Sequence, residues 1–122
     1  MSSLIGRRVL VVEDEPIIAM ALEDMLIDLG CEVVGPASNL AEAQVLAETA
    51  AIDAAMLDIN INSGRSYVVA DELRRRSVPF AFATGYGEEG IEAAAVGVPV
   101  LQKPYRQAQV EDVLNRLLAT DA

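Results

Sequence analysis

The chain predicts a single α/β domain, a five-stranded parallel sheet doubly wound with helices on both faces. Three observations carry this. Short apolar runs alternate five times with segments of helical spacing. The clearest run, Val9-Leu-Val-Val12, is β-branched and uninterrupted, as in a strand buried on both faces. And 122 residues, 13.0 kDa, leave room for one domain with one sheet.

The first run stops at Glu13-Asp-Glu-Pro16, where acids and a proline suit the opening turn of a helix. Ile18, Leu22, Met25, Leu26 and Leu29 then recur at helical spacing and Gly30 closes the segment. Cys31 to Val34 read as a second strand, ended by Gly35-Pro36. Asn39 is placed to cap a second helix with Leu40, Ala43, Leu46, Ala47 and Ala50 on one face. Ala54-Ala-Met-Leu-Asp58 is a third strand ending on a carboxylate. A polar loop from Asn60 to Ser66 leads to a helix carrying Val69 and Leu73 and closing in Arg74-Arg-Arg76, favourable charge for a helix C-terminus. Pro79-Phe-Ala-Phe-Ala83 is the fourth strand and Thr84-Gly-Tyr-Gly87 the turn after it. Residues 88–96 make a weak helix, since Gly87, Gly90 and Gly97 flank and interrupt it. Val98-Pro-Val-Leu101 is the fifth strand, followed by Lys103-Pro104, and the last helix presents Val110, Val113, Leu114, Leu117 and Leu118.

Composition narrows the function. Nine basic against nineteen acidic side chains give a net charge of −10, which argues against nucleic acid and favours cations and cationic partner surfaces. The absence of histidine removes His-based general bases, His metal sites and a phosphohistidine carrier. Cys31 stands alone, a small buried hydrophobe in a reducing, cytoplasmic setting. No apolar run approaches the roughly 18–20 residues needed to span a bilayer.

In a parallel sheet of this kind, function sits beyond the carboxyl ends of the strands. The residues expected there are Glu13, Asp14, Asp58, Thr84 and Lys103. Three carboxylates on one edge repel unless a cation sits among them, and oxygen ligands select a hard ion such as Mg²⁺. Asp58 is then both a ligand and a nucleophile that attacks as an anion and needs no general base. Thr84 can donate a hydroxyl hydrogen bond to a phosphoryl oxygen and Lys103 can neutralise another.

Taken together, Val11-Val-Glu-Asp-Glu-Pro16, Met56-Leu-Asp58, Ala83-Thr84 and Lys103-Pro104 resemble the marks of the response-regulator receiver domain, over about residues 5–119. Phe82-Ala-Thr-Gly-Tyr86 is similar to the receiver subfamily named for its Phe-Ala-Thr-Gly-aromatic motif, FAT GUY. The resemblance implies a flavodoxin-like fold of strand order 2-1-3-4-5. It implies Asp58 as phosphoacceptor and Mg²⁺ on Asp14, Asp58 and the backbone carbonyl of Asn60, with Glu13 acting through water. It implies Thr84 and Lys103 on the phosphoryl group and a cis Lys103–Pro104 bond. One receiver domain over 1–122 without an output domain implies a stand-alone, monomeric response regulator that is not a turnover enzyme. Its phosphoryl group would come from a sensor histidine kinase, and its signal would pass to a downstream phosphotransfer or target protein. Two departures stand out. Val100 occupies the place, three residues before Lys103, where most receivers carry an aromatic. Tyr86 is the aromatic instead and the candidate switch residue, with the glycine-rich 85–97 stretch ordering around it.

Three rival readings differ at particular residues or in their chemistry. A haloacid-dehalogenase-type phosphatase puts its nucleophile on the first strand with a second Asp two residues on; here the residue two after Asp58 is Asn60, which supplies no proton. A flavin carrier would set a phosphate against an acidic edge. A receiver-like module that is never phosphorylated differs only in its chemistry.

Overall fold

The computed structural model describes residues 4–62, 64–85 and 97–119. Five parallel strands, β1 (Arg8–Val12), β2 (Glu32–Ala37), β3 (Ala54–Asp58), β6 (Phe80–Thr84) and β7 (Val100–Gln102), form one sheet in the order β2-β1-β3-β6-β7. Counted along this sheet alone that is the expected order 2-1-3-4-5. A small antiparallel hairpin, β4 (Asn60–Ile61) with β5 (Gly64–Arg65), replaces the expected loop after β3. The helices are α1 (Pro16–Asp28), α2 (Leu40–Thr49), α3 (Tyr67–Arg75) and α4 (Gln107–Ala119). Among the described residues no helix is long and apolar enough to cross a membrane. The weak helix expected over 88–96 lies outside the described residues.

Alternate strand residues feed two cores. Leu10, Val12, Leu57 and Phe82 pack under α2 and α3 with Ala43, Ala47, Val69 and Leu73. Val9, Val11, Met56 and Ala81 pack under α1 and α4 with Leu22, Leu26, Val110 and Leu114. Every residue of β3 and β6 is buried, which explains their unbroken apolar character. Phe82, fully buried, meets Phe80 and Tyr67 edge to face at 5.5 and 5.9 Å.

Helix ends follow local chemistry. Pro16 opens α1. At its other end Cys31 N–H reaches Leu26 O and Gly30 N–H reaches Ile27 O, with Gly30 at φ +93°. This closes the helix in the left-handed turn that glycine accepts without strain. Arg74 and Arg75 pair with Asp71 and Glu72, and Arg76 donates to Ala47 O, so the arginine run secures the end of α3.

Two boundaries differ from expectation by more than one residue, both for tertiary reasons. β2 does not stop at Gly35-Pro36 but runs on to Ala37, past a register slip opposite Leu10–Val12. Gly35 makes the slip possible: at φ +97° a Cβ would meet Ala37 N at 2.7 Å and Val11 O at 3.1 Å. The gain is a longer ladder, in which Glu13 N–H donates to Ala37 O at 3.0 Å. β7 begins two residues late because Val98 packs into the first core instead of pairing.

Asn39 caps α2 as expected: its Oδ1 accepts from Glu42 N at 2.8 Å, while Glu42 Oε1 accepts from Ser38 N at 3.0 Å. Asn39→Ala should cost about 1 kcal/mol of unfolding free energy, read as a lower urea midpoint at unchanged slope.

Candidate phosphoryl-acceptor and cation site

The carboxyl ends of β1 and β3 and the turn after β7 deliver Glu13, Asp14, Asp58 and Lys103 to one place. Carboxylate oxygens of Glu13, Asp14 and Asp58 lie within 4.8 Å of one another. Glu13 and Asp58 are 2% and 4% exposed, so their mutual repulsion is only weakly screened by solvent. Lys103 answers it. Its Nζ donates to Glu13 Oε1 at 2.9 Å and to Asp58 Oδ2 at 2.8 Å. The ladder places that ammonium: Lys103 N–H bonds Thr84 O at 2.8 Å, and the Lys103–Pro104 bond is cis, as the resemblance implied.

One ammonium shared between two buried carboxylates cannot neutralise both. Burial, with the Asp58 charge adding to it, pushes Glu13 from an ordinary 4.5 up to about 7, against the hydrogen bonds from Lys103 and Glu15 N–H. Burial also draws Lys103 down, but its bonds to Asp58 and Glu13 outweigh that and hold it above the ordinary lysine value. Tyr105, two residues on, is pushed up by burial and by the charges of Glu13 and Asp58.

A cavity of about 660 Å³ opens over the group, lined by Asp14, Asp58, Asn60, Asn62, Gly85 and Lys103 on its polar side. Its other wall is apolar: Ile17, Ile18, Ala21 and Met25 of α1, with Pro104 and Tyr105. Thr84 sits buried at the end of β6, next to Asp58 in the sheet, where Asp58 pairs with Ala83. Val100 pairs with Phe82 and is 43% exposed on the edge strand. Tyr86 lies outside the described residues. Glu13, Asp14, Asp58 and Lys103 thus converge as the sequence led us to expect, with Asn60 on the same cavity.

Two contributors escaped the sequence reading. Tyr105 was available from its place after Lys103-Pro104. Asn62 N–H, which donates to Asp14 Oδ2 at 2.6 Å, was not, because a backbone donor carries no side-chain signature.

Glu13 keeps its proton to higher pH in the fold than in the unfolded chain, so its contribution to stability is fully present below about 4.5 and is lost as pH rises through about 7. In metal-free buffer, Glu13→Gln should flatten the fall in melting temperature between pH 5 and 8 relative to wild type. Equal slopes would show that Glu13 does not titrate in this window.

The chain matches the response regulator receiver domain family over residues 9–115. It is 33% identical over 114 residues to the phyllosphere-induced regulator PhyR of Methylorubrum extorquens, an alignment covering 90% of this chain and 43% of PhyR. The chain spans about half the length of the curated relatives it matches. Among solved structures it resembles SdrG from Sphingomonas melonis, with 41% identity, a TM-score of 0.83, and coverage of 95% of this chain and 98% of SdrG. It also resembles the receiver domain of the sensor histidine kinase PA1611 from Pseudomonas aeruginosa, with 26% identity, a TM-score of 0.81, and coverage of 93% and 98%; in that structure a magnesium ion is coordinated in the active-site cleft. The buried acidic end of this flavodoxin-like sheet is accordingly that of a two-component signalling protein, and the chain belongs to the response regulator receiver domain family.

Proposed function

We propose that this receiver takes a phosphoryl group on Asp58 and signals through protein contacts as a stand-alone response regulator of the Phe-Ala-Thr-Gly-aromatic subfamily. The observation that carries the reading is the Lys103 ammonium held on Asp58 Oδ2 at the mouth of a cavity roomy enough for a phosphoryl group. An Asp58 oxygen attacks the phosphorus of the donor; the new P–O bond forms as the donor's bond to phosphorus breaks and the leaving group departs with its electron pair. Lys103 sits where charge on a phosphoryl oxygen needs an ammonium, and Thr84, at the next strand end, supplies the hydroxyl donor.

The donor set fits a hard divalent cation: three carboxylates with oxygens this close, all from rigid strand ends or the turn beside them. Asp14 and Asp58 would hold Mg²⁺ directly with the Asn60 carbonyl, Glu13 through water. When bound, the ion would offset charge on the phosphoryl oxygens.

The phosphodonor we assign is a sensor histidine kinase, the reading that membership of the receiver family supports. The apolar wall of the cavity fits such a partner. Ile17, on the cavity beside the carboxylates, is 81% exposed, and Met20 and Ile27 are exposed apolar residues further along α1. Tyr86, two residues beyond Thr84, is the residue through which the phosphorylated state is read by the target.

Incubation with acetyl phosphate and Mg²⁺ followed by intact-mass analysis should show one phosphoryl addition, absent without Mg²⁺ and absent in Asp58→Asn. A folded wild-type protein of unchanged mass would turn the reading into that of an unphosphorylated interaction module. In Mg²⁺ titrations Asp14→Ala should lose more affinity than Glu13→Ala, and should also melt higher than wild type without metal, because it relieves carboxylate repulsion.

A further inference from the structure

We propose that Asn62, directly after β4, is a positioning residue for the cation site, in which its backbone N–H holds one oxygen of Asp14 and leaves the other to face the ion. This rests on the reading of Asp14 as a cation ligand and adds the device that orients it.

Three observations support the inference. The contact is short and charge-assisted, Asn62 N–H to Asp14 Oδ2 at 2.6 Å, and it spans 48 positions of sequence. It therefore joins the turn after β1 to the turn after β3. The donor is held in an uncommon conformation: Asn62 has φ +57°, a left-handed geometry that asparagine and glycine tolerate and β-branched residues do not. The hairpin behind it is anchored twice. Ile61 is fully buried in the first core, and Gly64 lies so close to α2 that a Cβ there would meet Leu40 Cδ1 at 2.7 Å. Asn60 pairs with Arg65 and Ile61 with Gly64, so the turn cannot slide along its own strands without withdrawing Ile61 from the core.

The consequence is chemical. Asp14 is only half-buried and, unlike Glu13 and Asp58, is not bonded to Lys103. A carboxylate with a rotating χ2 offers a cation two interchangeable oxygens; with Oδ2 held by a backbone donor, rotation is restrained and Oδ1 is the oxygen with both acceptor sites open to an ion. Partners of this kind commonly set metal affinity by about 10–100-fold. Asn62 itself lines the cavity, so a partner or phosphodonor entering there meets the same turn that aims Asp14.

The test uses ¹⁵N-labelled full-length protein and Mg²⁺ alone as the probe. In wild type the Asn62 amide should be downfield and slow to exchange, and Asp14→Ala should abolish both properties. Asn62→Gly keeps the N–H and accepts the left-handed turn, so it should bind Mg²⁺ within about twofold of wild type. Asn62→Val opposes that turn and should bind about tenfold more weakly, with resonances outside residues 60–65 unchanged. If the valine variant fails to fold, Asn62→Ala replaces it with the same expected direction. Wild-type affinity in the valine or alanine variant, or an Asn62 amide indifferent to Asp14→Ala, overturns the positioning role while leaving Asp14 a cation ligand. Mg²⁺ binding absent from wild type itself overturns both.

Discussion

Everything at the functional end of this molecule depends on one shared ammonium. Lys103 bridges Glu13 and Asp58, two carboxylates almost withdrawn from solvent, at 2.9 and 2.8 Å. Burying two anions and one cation is costly, and a hydrophobic replacement of such a triad is often no less stable. The arrangement is therefore better understood as a poised charge imbalance than as a contribution to stability. Lys103 offsets only one of the two buried charges, and burial, with the Asp58 charge adding to it, raises the proton affinity of Glu13. A bound divalent ion, or a phosphoryl group with one, would find complementary charge already in place.

Holding that imbalance requires a rigid frame. β1, β3 and β6 are buried on both faces, and each ends within a residue of a side chain of the candidate site: Glu13 after Val12, then Asp58 and Thr84 themselves. The slip in β2 extends the ladder to Glu13 N–H, and Glu15 N–H takes the other oxygen of its carboxylate at 3.1 Å. Lys103 arrives from the edge strand through its backbone bond to Thr84 O. That bond physically links the lysine on Asp58 to the threonine beside it. A shift of Thr84 toward a phosphoryl group would pull on the same ladder.

The two poles of the chain divide its labour. Arg74, Arg75 and Arg76 are absorbed at the end of α3 by Phe80, acidic neighbours one turn back and the Ala47 carbonyl. The carboxylate pole remains open through the cavity, with the exposed Ile17 of α1 among its lining residues. An acidic centre beside apolar surface suits recognition of another protein better than enclosure of a small metabolite, since the apolar surface can be covered by a partner.

The sequence alone determined the parallel sheet, the two helix-covered cores and four of the residues now found together. Strand burial leaves continuous apolar runs, and function at strand ends leaves charged residues where those runs stop. Asn39 and Gly30 were legible because caps act within one turn of chain. The continuation of β2 through Gly35-Pro36, the hairpin in place of the loop at Asn60–Ser66 and the donor from Asn62 to Asp14 were decided only by the tertiary structure. Each depends on a backbone group meeting a partner distant in sequence. Backbone groups are the same at every residue, so no local pattern announces which will meet; the packed sheet and the anchored hairpin choose.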